Sequence, residues 1–121
     1  MQASEKQIES AILDYMNIQK GCFAFKVNTA GVFDPSRKVF RTNKNRHLHN
    51  GTSDIIGVYQ GRMFAIEVKR PKTADKQKTY ASKQQKEFIQ RVKACGGCGY
   101  VARSIEDARN IILDLEHSGL C

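Results

Sequence analysis

The residues with the most to offer chemically fall in one stretch of chain, Asp54 to Lys69. Arg62 to Lys69 has the two-residue alternation of a strand, so Met63, Ala65, Glu67 and Lys69 share one face while Phe64, Ile66 and Val68 share the other. A carboxylate and an amine therefore point the same way. Phe64-Ala65-Ile66 marks this as a central strand, where an unpaired charge is costly. Asp54 opens a second strand-like run, Asp54 to Tyr59, and Gln60-Gly61 between the two runs predicts a tight hairpin turn. Counting back from that turn brings Asp54 to the Glu67 and Lys69 end of the pair. Two carboxylates with a gap filled by water or phosphate suit a hard divalent cation such as Mg²⁺. Such a cation polarises a phosphodiester and helps ionise a water nucleophile, while a nearby lysine holds that water or neutralises the developing charge. The competing reading is a surface salt bridge between Glu67 and a neighbouring base.

The elements that must position these residues can be read on either side. Ile8, Ala11, Ile12, Tyr15 and Met16 recur with helical spacing, with Ser4 as N-cap and Gln7 three residues on as in a capping box. After Lys20-Gly21 the period changes: Phe23, Phe25 and Val27 alternate with Ala24, Lys26 and Asn28, which predicts a strand with one buried face. Thr29 to Asn50, with Gly31, Asp34-Pro35 and only the short apolar pair Val39-Phe40, is expected to be a long loop. Ser82 starts a second helix that runs to about Ala94 on Phe88, Ile89 and Val92 and stops at Gly96-Gly97. Tyr100 to Arg103 is a short strand. Ile105, Ala108, Ile111, Ile112 and Leu115 form a third helix capped by Ser104, with Glu106 and Asp107 in its positively polarised first turn. The expected order is α-β-β-β-α-β-α, an α/β domain spanning residues 1–121 around a mixed central sheet, without internal repeats.

At 121 residues the chain holds one compact domain, and 20 Lys and Arg against 12 Asp and Glu give a formal charge of +8. That excess favours a polyanionic partner such as nucleic acid over an acidic small molecule. No run approaches the length of a membrane span, and Met1 to Ser10 lacks the apolar core of a secretory signal, so a cytoplasmic protein is expected. Four cysteines in that setting predict reduced thiols rather than a disulfide framework.

Gly51-Thr52-Ser53-Asp54, then Phe64-Ala65-Ile66-Glu67-Val68-Lys69, then Ser82-Lys83-Gln84-Gln85 resemble, in order and spacing, the three signature blocks of the VRR-NUC nucleases, a branch of the PD-(D/E)XK superfamily. A bare Asp…Glu-x-Lys is a weak pattern, but these blocks in an αβββαβ order are specific. The resemblance runs from the first helix to the Tyr100 strand. It implies a restriction-endonuclease-like core with an extra C-terminal helix, and a Mg²⁺- or Mn²⁺-dependent DNase. In it Asp54, Glu67 and the Val68 carbonyl hold the cation, Lys69 assists the attacking water, and Gln85 supports the site or the scissile phosphate. Families of this kind add an acidic residue from the first helix. Glu5 matches that position, with Glu9, one turn on and also beside the apolar stripe, as the fallback. Ser53 departs from the pattern, standing where many members have proline. Stand-alone members are dimeric enzymes of branched DNA such as four-way junctions, so a homodimer acting on branched DNA is implied.

Basic residues flank these blocks. Between Lys69 and Lys86 lie Arg70, Lys72, Lys76, Lys78 and Lys83 against the single acid Asp75. Such a run is ordinarily a solvated loop, but beside a nuclease site it can track a DNA backbone. Arg37, Lys38, Arg41, Lys44 and Arg46 can form a second wall, and His47 and His49 are candidates to touch phosphate or a base where a loop histidine is otherwise merely exposed. Cys95, Cys98, His117 and Cys121 have a spacing compatible with zinc, although Gly96-Gly97 already serve the helix end. Cys22, opening a strand, reads as a small buried apolar residue. Two other classes of function compete: a non-catalytic DNA-binding module on the same scaffold, and a zinc-binding adaptor.

Overall fold

The structure, a computed structural model, describes residues 4–27, 32–41, 51–71 and 81–117. Its elements are α1 (Glu5–Asn17), β1 (Cys22–Lys26), β2 (Val32–Asp34), β3 (Val39–Arg41), β4 (Ile55–Tyr59), β5 (Arg62–Val68), α2 (Lys83–Ala94), β6 (Cys98–Ala102) and α3 (Ile105–His117). Four strands form a mixed sheet in the order β1-β4-β5-β6, in which β1, β4 and β5 are antiparallel neighbours and β6 lies parallel to β5. The parallel pair needs a crossover connection, which α2 supplies. Gln60, at positive φ, and Gly61 make the hairpin between β4 and β5.

Each strand alternates between two faces, and the register aligns them. Ala24, Gly57, Phe64 and Cys98 form one row across the sheet, on the side where α1 and α3 contribute Ile8, Ile12, Met16, Ala108, Ile111, Ile112 and Leu115 to the core. Gly57 is required there, because a Cβ would come within 2.4 Å of the Phe64 ring. The opposite face is packed by α2 through Ile89 and Val92, with a Gly99 Cβ excluded by Ile89 at 2.4 Å. β5 is covered on both sides, which is why Phe64 to Val68 is buried without interruption.

Three expectations change. The buried face of β1 is that of Ala24, not of the phenylalanines: Phe23 is 65% and Phe25 45% exposed. α1 docks on the Ala24 side, and its Asn17 binds the Ala24 peptide at both ends, accepting from its N–H (2.8 Å) and donating to its carbonyl (2.9 Å). That side chain closes part of an otherwise open sheet edge. Next, the stretch expected to be a loop contains the antiparallel hairpin β2–β3, turned through Pro35 to Lys38, with Lys38 at φ 55°. Three-residue strands are too short to establish an alternation. Finally, the last strand starts at Cys98 rather than Tyr100, because α2 ends abruptly enough for the chain to enter the sheet at once. Gly97 donates to the Val92 carbonyl and Gly96, at φ 93°, to the Lys93 carbonyl, a Schellman stop.

Candidate active site

The β4–β5 register pairs Ile55 with Ile66, so Asp54, immediately before β4, stands beside Glu67. The Asp54 backbone is held by Val27, whose N–H donates to its carbonyl at 2.8 Å, and its carboxylate accepts from the Val68 N–H at 2.8 Å. Glu67 is 2% exposed, so its ion pair is no surface bridge. Lys69 Nζ lies 3.9 Å from Glu67 Oε1, and the Lys69 N–H donates to the Ala102 carbonyl at 2.9 Å, carrying the β5–β6 ladder one step further.

Glu67 Oε1 also accepts from Gln85 Nε2 at 2.7 Å, whereas the buried Oε2 has no donor against it among the described residues. Burial, then the Asp54 charge and the contact with the Asp54 carboxyl, push the Glu67 carboxyl up to about 8; Glu5 adds to the rise and Lys69 opposes it. Near neutral pH the Glu67 carboxyl therefore retains its proton. A buried carboxylate beside a half-buried one, with one oxygen lacking a donor among the described residues, is an environment a divalent cation resolves, and an all-oxygen donor set fits Mg²⁺ or Mn²⁺.

Gln85 reaches Glu67 because it is also part of the α2 cap. Its Oε1 accepts from the Ser82 N–H (2.7 Å) and its own N–H donates to Ser82 Oγ (3.1 Å), so the amide is fixed with its NH₂ towards the carboxylate. Gly51, at φ 84°, brings the preceding loop against the same turn; a Cβ there would lie 2.4 Å from the Gln84 carbonyl carbon. Neither the cap's second role nor this packing was legible in the sequence beyond the presence of Ser82, Gln85 and Gly51 in the matching blocks. Ser53 is fully buried and its hydroxyl lacks a hydrogen-bond partner among the described residues.

The two acids of α1 separate. Glu9 pairs with Lys26 Nζ at 3.2 Å, on the α1 side of the sheet, whereas Glu5, exposed, is the one whose charge acts on Glu67. Of the basic residues, Lys83 and Lys86 are exposed on α2, Arg37 and Lys38 are exposed in the β2–β3 turn, and Arg70 is half-buried with its carbonyl accepting from Arg103 Nη1 at 2.8 Å. Arg41 ends β3. Lys44, Arg46, His47, His49, Lys72, Lys76 and Lys78 lie outside the described residues. Arg91, which sequence reasoning passed over, is exposed on α2 with Lys86 beside it in a shallow cleft.

Cys98 corrects the expectation of four reduced thiols: it is disulfide-bonded and buried in β6, and so cannot serve as a zinc thiolate. Cys95 is free and exposed, and Cys121 lies outside the described residues. Among the described residues no group of three or more His, Cys, Asp and Glu side chains is arranged to hold a metal. Cys22 is half-buried, free, and packed against the core, which raises its thiol.

The mixed four-stranded sheet with α1 and α3 on one side and α2 on the other is a restriction-endonuclease-like α/β fold. Among solved structures it is similar to a "VRR_NUC domain protein", with a TM-score of 0.63 at 20% identity, covering 94% of this chain and 88% of that one. The chain thus has the fold of a VRR-NUC domain, with the resemblance of the three sequence blocks now matched by architecture. No family model matches the sequence, and no curated protein does. Among the described residues no helix is long and apolar enough to cross a membrane.

Proposed function

We propose that the protein is a cytoplasmic, single-domain, metal-dependent DNA endonuclease that hydrolyses phosphodiester bonds in branched DNA, with four-way junctions as the leading substrate, and acts as a homodimer. The observation that carries the reading is the buried Glu67 beside the half-buried Asp54, with a Glu67 oxygen that has no partner among the described residues and Lys69 on the same sheet face. Asp54, Glu67 and the Val68 carbonyl would hold Mg²⁺ or Mn²⁺, with Glu5 contributing from α1. The bound cation would neutralise charge on the phosphate and lower the pKa of a coordinated water. Lys69 orients the attacking water and balances the charge that builds on phosphorus. Gln85 fixes the rotamer of Glu67, so the carboxylate need not reorganise when the phosphate arrives.

The +8 chain meets the backbone of DNA electrostatically, and a domain of this size has little surface with which to read bases, so duplex geometry sets the choice of substrate. A two-fold dimer presents the same catalytic edge twice, as the paired strands of a junction require. Cleavage mapping on linear, flap and four-way substrates, with Mg²⁺ and with EDTA, tests this. Incision confined to branched DNA and to the Mg²⁺ arm is expected. Equal incision of linear duplex would remove the branched-substrate claim, and incision in EDTA would remove the metal.

A further inference from the structure

Among the described residues, the sheet face that carries Asp54 and Glu67 is only half covered. α2 lies over β5 and β6, but no described element covers the β1–β4 half. The register orders what is left open there. Phe25 pairs with Ile56, one step along from the row of Val27, Asp54 and Glu67, and Phe23 pairs with Val58, which pairs with Met63. Val58 and Met63 are each 42% exposed, and the two phenylalanine rings lie 5.7 Å apart at 39°. An exposed aromatic pair on an edge strand is an unfavourable use of surface unless something binds it.

We propose that Phe23 and Phe25 form a stacking platform for unpaired nucleobases of a DNA strand that enters the catalytic edge; the inference rests on the nuclease reading above and specifies its substrate as one with single-stranded character. Two features favour a nucleic-acid strand over a second copy of this chain. The platform is continuous with the site: Phe25 is about 7 Å along the strand direction from the Asp54 row, the reach of a nucleotide or two. The charge next to it is also predominantly positive. A cleft beginning at Met63 is lined by the exposed Arg91 of α2, and Arg91 shares a second cleft with Lys83 and Lys86, where Glu87 is the one acid. An apolar floor beside a cationic ledge matches a single strand, whose bases are apolar on their faces and whose backbone is anionic. A second copy seated there would instead bring the Lys83, Lys86 and Arg91 ledges of two chains together around that floor.

The test uses the full chain in EDTA, with fluorescein-labelled 20-nucleotide oligothymidylate and a blunt duplex of equal length as probes. Phe25→Leu and the Phe23→Leu/Phe25→Leu double variant keep the apolar surface and remove the rings. Removal of each base–ring stack is expected to weaken oligothymidylate binding by about 5- to 100-fold while duplex binding stays within about two-fold. The chain contains no tryptophan, so Phe25→Trp installs a single reporter whose fluorescence oligothymidylate should quench and duplex should not. Unchanged oligothymidylate affinity, equal weakening on both probes, or indole fluorescence in Phe25→Trp that oligothymidylate leaves unquenched would each overturn the platform. So would sedimentation showing that the leucine variants dissociate a wild-type dimer. Mg²⁺-dependent plasmid nicking by the wild type separates the two claims. Nicking with ring-independent binding removes the platform alone, and ring-dependent binding without nicking removes the nuclease alone.

Discussion

At the scale of single residues the site is a compromise between folding and chemistry. Glu67 is raised to about 8 from an ordinary 4.5, so the metal-free folded state binds a proton that the unfolded chain has released. The associated stability is fully present below about pH 4.5 and is lost as pH rises through about 8. Glu67→Gln should therefore stabilise the metal-free protein at pH 8–9 by roughly 1–3 kcal/mol and flatten that part of the pH dependence. Urea titrations in EDTA at pH 6 and pH 9 check it; a variant equally destabilised at both would mean the carboxylate is structurally needed. Cation affinity should rise with pH up to about 8, because the cation displaces that proton. Among the α1 acids, Glu5→Gln should lower cleavage more than Glu9→Gln, whose main effect is to break the pair with Lys26. The reverse order in a nicking assay would move the assignment to Glu9. Ser53→Ala removes a buried hydroxyl without a partner among the described residues and should be neutral or stabilising by about 1 kcal/mol in thermal unfolding.

At the scale of elements, two segments hold Asp54 and Gln85 against β5. Gly51 combines positive φ with direct contact to the α2 backbone, so Gly51→Ala must displace the loop or the helix. It should cost about 1–3 kcal/mol in denaturant unfolding and lower cleavage disproportionately, since Asp54 and Gln85 both move relative to Glu67. Reduced stability with full activity would show that the loop does not set the geometry. The local devices were legible because they are local: the capping box at Ser4, the helix start at Ser82, the β4–β5 hairpin and the Asp54–Glu67–Lys69 convergence all follow from spacing within a few residues or across one tight turn. What was not legible depends on contacts distant in sequence. The outward face of β1 is decided by where α1 docks, the Asn17–Ala24 bonds by the same docking, and the state of Cys98 by a partner elsewhere in the chain. The β2–β3 hairpin escaped because three residues per strand carry no period.

At the scale of the molecule, charge and architecture have separate roles. The fold brings two carboxylates and a lysine to one end of a sheet, and in the proposed function the excess cations would draw a polyanion to that end. Lys83 and Lys86 are exposed on the helix that carries Gln85, so their replacement by alanine should weaken DNA binding without altering the site. The slope of log K against log salt should fall by about one for each phosphate that is no longer neutralised. An unchanged slope would remove α2 from the interface. Sedimentation at micromolar concentration checks the dimer, which predicts a single species of twice the chain mass.

The central claim is that Asp54 and Glu67 form a cation-dependent hydrolytic site. Supercoiled-plasmid nicking by wild type, Asp54→Asn and Glu67→Gln, side by side in Mg²⁺ and in EDTA, tests it most directly. Nicking is expected from the wild type in Mg²⁺ alone, reduced by about 100-fold or more in both variants while plasmid binding is retained. Undiminished nicking by either folded variant, or wild-type nicking that persists in EDTA, would contradict it.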